Sequence, residues 1–143
     1  MNLFIDCEWN DWGGELISMA LVPEDGYVFY ESLGCENPSP WVAEHVVPVN
    51  NKEPISADAF QSKLNNYLSE FDSVHVIADW PEDIAWFCRM LITGPGQRLN
   101  TPHLTFEIMR DLDTIQSIMP HNALADALAN AGSYRVNKLD KTS

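Results

Sequence analysis

Leu3-Phe4-Ile5-Asp6-Cys7-Glu8-Trp9 opens the chain, and its reading together with the two segments after it decides the fold. Its apolar and aromatic residues suit a strand. Side chains alternate along a strand, so Phe4, Asp6 and Glu8 leave on one face. A break at Trp12-Gly13-Gly14 leads into Glu15-Leu16-Ile17-Ser18-Met19-Ala20-Leu21-Val22, nearly continuous in apolar character, as in a central strand. Pro23-Glu24-Asp25-Gly26 has turn chemistry and delivers a third strand, Tyr27-Val28-Phe29-Tyr30-Glu31. Connections this short favour antiparallel neighbours, which predicts a three-stranded meander.

Pro38, Pro40, Pro48 and Pro54 punctuate the next stretch and leave room for a short helix near Trp41–His45. Ser56 suits the N-cap of a helix over 57–71, where Phe60, Leu64, Tyr67, Leu68 and Phe71 recur at helical spacing. Val74-His75-Val76-Ile77-Ala78 reads as a buried strand. Pro81 fits a helix's first turn, with Ile84, Phe87, Cys88 and Leu91 on one stripe, Trp86 assigned to the core, and an end near Gly94-Pro95-Gly96. Residues 103–110 predict another strand, and 122–131 a last helix closed by Gly132. The order βββ-α-β-α-β-α predicts an α/β fold: one mixed sheet, an antiparallel meander extended by parallel strands, flanked by helices. It forms a single domain over 1–134, followed by a short basic polar tail, 135–143.

Forty-five per cent of the 143 residues are apolar, enough for one real core and too many for a disordered chain. No apolar run approaches the roughly 20 residues of a bilayer-spanning helix, so no membrane partner is expected. The start, Met1-Asn2-Leu3-Phe4-Ile5-Asp6, lacks the basic region of a secretory signal. Cys7, Cys35 and Cys88 have no motif spacing and read as reduced thiols, which points to the cytoplasm. Eight Lys and Arg stand against 21 Asp and Glu, a net charge of −13. That balance excludes a grip on nucleic-acid phosphates as the main means of attraction. The acids either solvate the surface or hold divalent cations that invert the local field.

Three segments carry chemistry. Asp6 and Glu8 share a strand face, where they repel one another unless a cation lies between them; the alternative is a solvated strand end. Asp79-Trp80-Pro81-Glu82-Asp83 puts three acids at a strand-to-helix junction, where open α/β sheets bind ligands. Acids at a helix N-terminus are also favourable for dipole reasons alone. Pro120-His121-Asn122-Ala123-Leu124-Ala125-Asp126 sets a histidine just before a helix and an aspartate within it, among Ala123, Leu124, Ala127 and Leu128, too apolar a setting for an unexplained charge.

Together these segments resemble the three motifs of the DEDDh superfamily of 3′–5′ exonucleases, which includes ribonuclease T, oligoribonuclease and the proofreading exonucleases on a ribonuclease H-like fold. Asp6-Cys7-Glu8 is similar to the first motif, Asp-x-Glu. His121-Asn122-Ala123-Leu124-Ala125-Asp126 is similar to the third, His-x-x-x-x-Asp. Asp83-Ile84-Ala85-Trp86-Phe87 meets the register of the second, with Asp79 in reserve for the same role. The run from Glu8 to Val22 looks closer to small exoribonuclease-like members from bacteria and phages. The resemblance spans residues 3 to about 131 in order and spacing.

The resemblance implies two divalent cations, Mg²⁺ or Mn²⁺, roughly 3.5–4 Å apart, generating hydroxide and stabilising the leaving oxygen. It implies that Asp6 bridges them, that Glu8 and Asp126 complete the water-activating site, that Asp83 helps hold the second ion, and that His121 takes the proton from the attacking water. The ions would lower the net charge from −13 to about −9 and neutralise the pocket. Trp9 and Trp12 directly follow the first motif, where family members often stack on the terminal nucleotide; each either stacks on the substrate in that way or belongs to the core or an interface. The expected activity is release of 5′-mononucleotides from single-stranded RNA or DNA 3′ ends or short overhangs, RNA favoured. Family members are often homodimers whose partner supplies basic contacts, an arrangement open to a chain with so few cations. The competing reading is a non-catalytic acidic binding protein on the same fold that mimics nucleic acid; it would need surface charge but not His121.

Overall fold

The computed structural model describes residues 1–112 and 117–142, with side chains as far as Lys138. Its elements are β1 (Asn2–Trp9), β2 (Leu16–Pro23), β3 (Phe29–Ser32), α1 (Pro40–His45), a 3₁₀ turn (Val47–Val49), α2 (Ala57–Leu68), β4 (Ser73–Ala78), α3 (Pro81–Met90), β5 (Ile92–Gly94), β6 (Gln97–Arg98), β7 (His103–Ile108) and α4 (Ala123–Thr142). One five-stranded sheet runs in the order β3-β2-β1-β4-β7. β1, β2 and β3 form the expected antiparallel meander, and β4 and β7 add on in parallel. The protein is thus an α/β fold with a mixed sheet flanked by helices.

Alternation along the strands sorts side chains into two apolar layers. Leu3, Ile5 and Cys7 of β1 join Met19, Leu21, Val74 and Val76 under Phe60, Leu64 and Leu68 of α2 and Phe87 of α3. Phe4, Ala20, Val22 and Ile77 leave from the opposite face and meet Ala123, Ala127 and Ala131 of α4. Alanines every four residues make one narrow face of that helix, and their small side chains let it lie close on β1 and β2.

Three differences from the sequence reading have local causes. The helix over 57–71 ends at Leu68, yet tighter turns carry on from it, Glu70 N–H donating to Tyr67 O (3.3 Å) and Phe71 N–H to Leu68 O (3.2 Å). The apolar spacing therefore outlasts the α-helix, and Tyr67 and Phe71 still pack edge to face. Gly94-Pro95-Gly96, read as a helix end, turns a small β5–β6 hairpin, with Gly96 at a φ of 66° that favours glycine.

The third difference is the last helix. Gly132 does not close it: α4 continues to Thr142, through most of the segment read as a polar tail, whose Ser143 lies outside the described residues. Tertiary contact overrides the glycine, because Tyr134, one turn beyond Ala131, packs on Phe4 with ring centroids 5.0 Å apart. A methyl group at position 132 would have no atom within 4 Å. Gly132→Ala is therefore expected to stabilise the protein by about 0.5–1 kcal/mol, a rise of roughly 2–4 °C in Tm by differential scanning fluorimetry.

Candidate metal centre

Phe4 fills the layer beneath α4, so the next two residues on that face of β1, Asp6 and Glu8, emerge beside the start of the same helix. Across β2 they pair with Ala20 and Ser18, small residues that leave room above the sheet. Asp126, in the first turn of α4, completes a group with them. Oxygens of Asp6, Glu8 and Asp126 all lie within 4.8 Å of one another, and those of Asp6, Asp79 and Asp83 form a second such group. Asp6 belongs to both.

The second group comes from the β4–α3 junction. β4 is parallel to β1, so the residue after its last, Asp79, lies at the same end of the sheet as Asp6. Asp83, in the first turn of α3, is buried, and its Oδ1 accepts the Cys7 backbone N–H at 3.0 Å. That bond ties α3 to β1. Glu82 takes another path, its Oε1 accepting from the Trp80 indole at 3.0 Å. Of the three junction acids, Asp79 and Asp83 thus both face Asp6.

His121 adopts a φ of 69°, a left-handed conformation that few residues other than glycine, asparagine, aspartate and histidine occupy. Its backbone N–H donates to Asp126 Oδ2 at 3.2 Å. The imidazole meets Trp41 of α1 edge-on, ring centroids 5.0 Å apart, with His45 at 6.2 Å. Asn122 locks this corner. Its Oδ1 accepts from Ala125 N–H at 2.9 Å, capping α4, while its Nδ2 donates to Val49 O at 2.7 Å, holding the segment that follows α1. The sequence reading missed Asn122 and left Trp41 unassigned. An asparagine ahead of an alanine-rich helix was a legible N-cap signal, whereas the contact of Trp41 with His121 joins positions 80 residues apart and left none.

The electrostatics are those of anions crowded away from water. Burial raises the Asp6 carboxyl well above its usual range, and Asp83, Glu8, Asp126 and Asp79 push it further. Burial and then Asp126 drive Glu8 up to about 8. Burial also raises Asp83, with Asp79 adding to it against the Cys7 N–H, and raises Asp126 against the opposing pull of Ser117 and then His121. Asp6 Oδ2 is enclosed and accepts no hydrogen bond from the described residues. An orphaned buried oxygen, flanked by carboxylates and free of sulfur donors, fits hard divalent cations such as Mg²⁺ or Mn²⁺.

Of the two tryptophans after the first motif, Trp9 meets the core and Trp12 the solvent. Trp9 packs with the layer of α2 and α3, on the other face of β1 from Asp6 and Glu8, and Trp12 is 89% exposed. Both line a cavity beside α3 together with Trp86. Trp86 is half-buried, at the margin of the core rather than within it.

No family model matches the chain, and no curated protein matches it.

The raised carboxyls set the sign of a pH dependence. Folded protein keeps protons on Glu8 up to about pH 8, whereas the unfolded chain releases them near 4.5. Stability of the metal-free protein therefore falls as pH rises through that window. Bound cations would remove the penalty. Thermal melts in EDTA are expected to drop in Tm from pH 5 to pH 8, and Mn²⁺ to raise Tm more at pH 8 than at pH 5. Asp6→Asn should abolish most of that Mn²⁺ response. Equal Mn²⁺ shifts in wild type and Asp6→Asn would argue against this centre.

Proposed function

We propose that the chain is a metal-dependent 3′–5′ exonuclease on a ribonuclease H-like fold. It hydrolyses phosphodiester bonds at single-stranded 3′ ends or short 3′ overhangs, RNA favoured, and releases 5′-mononucleotides. The observation that carries this reading is Asp6: a buried carboxylate with an unpartnered oxygen, shared by two groups of acids, one completed by Glu8 and Asp126 and one by Asp79 and Asp83.

Two divalent cations, when bound there, supply an activated water and charge neutralisation at the leaving oxygen. Asp6 would contribute to both positions, Glu8 and Asp126 would complete one, and Asp83 with Asp79 would complete the other. His121, beside Asp126 and braced by Trp41, takes the proton from the attacking water on its imidazole. Its backbone N–H, already donated to Asp126, keeps that carboxylate turned toward Asp6. The reading as an acidic mimic fits less well, because a mimic works through surface charge whereas Asp6 and Asp83 are buried.

A 5′-labelled single-stranded RNA oligomer with Mn²⁺ or Mg²⁺ tests the activity directly. A ladder shortening from the 3′ end one nucleotide at a time is expected, and is expected to vanish in EDTA and in Asp6→Ala. If RNA, DNA and overhanging duplexes all stay intact, the exonuclease reading fails. Among variants, Asp83→Asn should abolish turnover, keeping an oxygen for the Cys7 N–H while removing the charge. Asp79→Asn should leave a substantial remnant, and the reverse order would transfer the main role to Asp79. His121→Ala should lower kcat by about 10²–10⁴-fold with Mn²⁺ affinity little changed, and weakened Mn²⁺ binding as the main defect would contradict its role as base.

A further inference from the structure

On the other side of β1 from the carboxylates, Trp9, Trp12, Trp86, Glu82 and Arg89 line a cavity of about 220 Å³ between the β1–β2 loop and α3. Drug-sized ligands occupy roughly 300–1,000 Å³, so this one suits a single planar ring system rather than a whole nucleotide. The walls match such a ring. Three of the chain's five tryptophans converge here, and the Arg89 guanidinium stacks over the Trp86 ring at 4.9 Å from its centroid.

The loop presenting Trp12 is a built one. Asn10 N–H donates to Glu15 O at 2.8 Å, and Asn10 Nδ2 and Oδ1 bind Asn37 O and Ser39 N–H, both at 2.8 Å. Gly14 passes so close that a Cβ there would lie 1.6 Å from Asn10 O. The Trp12 indole on this ordered loop is 89% exposed, so its ring is open to a ligand in the cavity it lines. Position supplies the rest. Trp9 and Glu82 directly adjoin Glu8 and Asp83, so the cavity borders the metal centre, yet the strand separates the two.

We propose that this cavity is a nucleobase subsite for the substrate strand, taking a base upstream of the two nucleotides that flank the scissile bond. The inference rests on the exonuclease reading. Trp12 and the guanidinium that Arg89 lays over Trp86 sandwich the base without regard to its identity, and the same cation offsets the neighbouring phosphate in a chain of net charge −13. Trp86 and Arg89 thereby act as length-sensing residues: they grip a strand long enough to round β1 and do nothing for a shorter one.

The test compares KM and kcat on a single-stranded dinucleotide and on a heptanucleotide for wild type, Trp12→Ala, Arg89→Ala, Trp86→Phe and Trp86→Ala. Stacking losses predict that Trp12→Ala and Trp86→Ala raise KM for the heptanucleotide by roughly five- to hundredfold, with kcat nearly constant. Arg89→Ala should raise it in the same direction, Trp86→Phe should restore most of the loss, and all variants should match wild type on the dinucleotide. Trp12 and Arg89 are exposed, so their variants report on binding even if Trp86→Ala fails to fold. An unchanged heptanucleotide KM in Trp12→Ala and Arg89→Ala, or equal losses on both lengths, would overturn the subsite while leaving the activity intact. A wild-type protein that degrades neither substrate would overturn the activity, and the subsite with it.

Discussion

Carboxylates brought together away from water repel one another, and that repulsion at Asp6 is the constraint around which the rest of the molecule is arranged. Burying an ionised carboxylate costs several kcal/mol even after relaxation. Here Asp6, Glu8, Asp79, Asp83 and Asp126 gather from β1, the β4–α3 junction and α4, with protons or cations as the means of relieving the charge. The apolar layers on both faces of the sheet supply the free energy that keeps them there. One hydrogen bond from the Cys7 amide to Asp83 does the fine positioning between β1 and α3.

The same arrangement reconciles an acidic chain with the proposed phosphate chemistry. Cations bound at the proposed centre would invert the local field, so the acids there would not have to meet a phosphate directly. Around that centre the polar work passes to neutral or singly placed groups: the left-handed His121, Asn122 spanning α4 and the residues after α1, and Arg89 stacked on Trp86. His121 and Asn122 are held by contacts reaching across the chain, whereas Arg89 meets Trp86 within one helix. The histidine corner joins two stretches far apart in sequence, one running from Trp41 to Val49 and one starting α4.

Much of this was legible from residues alone. The period-two alternation of Leu3 to Trp9 put Asp6 and Glu8 on one face, and the structure has them there with Phe4. Pro81 and the stripe through Ile84, Phe87 and Leu91 located α3, and Ser56 caps α2, accepting from Ala59 N–H at 3.1 Å. Where the reading slipped, a distant contact had overruled a local rule. Gly132 should have closed α4, but Tyr134 finds Phe4 beyond it. Trp86, assigned to the core, packs against its margin and lines a cavity. The choice between Asp79 and Asp83 had no local answer, since both fall at the junction; the parallel register of β4 on β1 brings Asp79 to Asp6, and the seating of α3 on β1 through Cys7 brings Asp83.

The sequence by itself determined the order of the five strands of the main sheet and the helices between them, the mixed sheet and the carboxylates at its carboxyl end, because alternation, capping and turn chemistry act over a few residues. It could not determine which acids share a centre, how His121 is braced, or that Trp9 and Trp12 lie across β1 from Asp6 beside Trp86 and Arg89. Those depend on how helices seat on the sheet to within an ångström or so, which packing decides and local sequence does not encode.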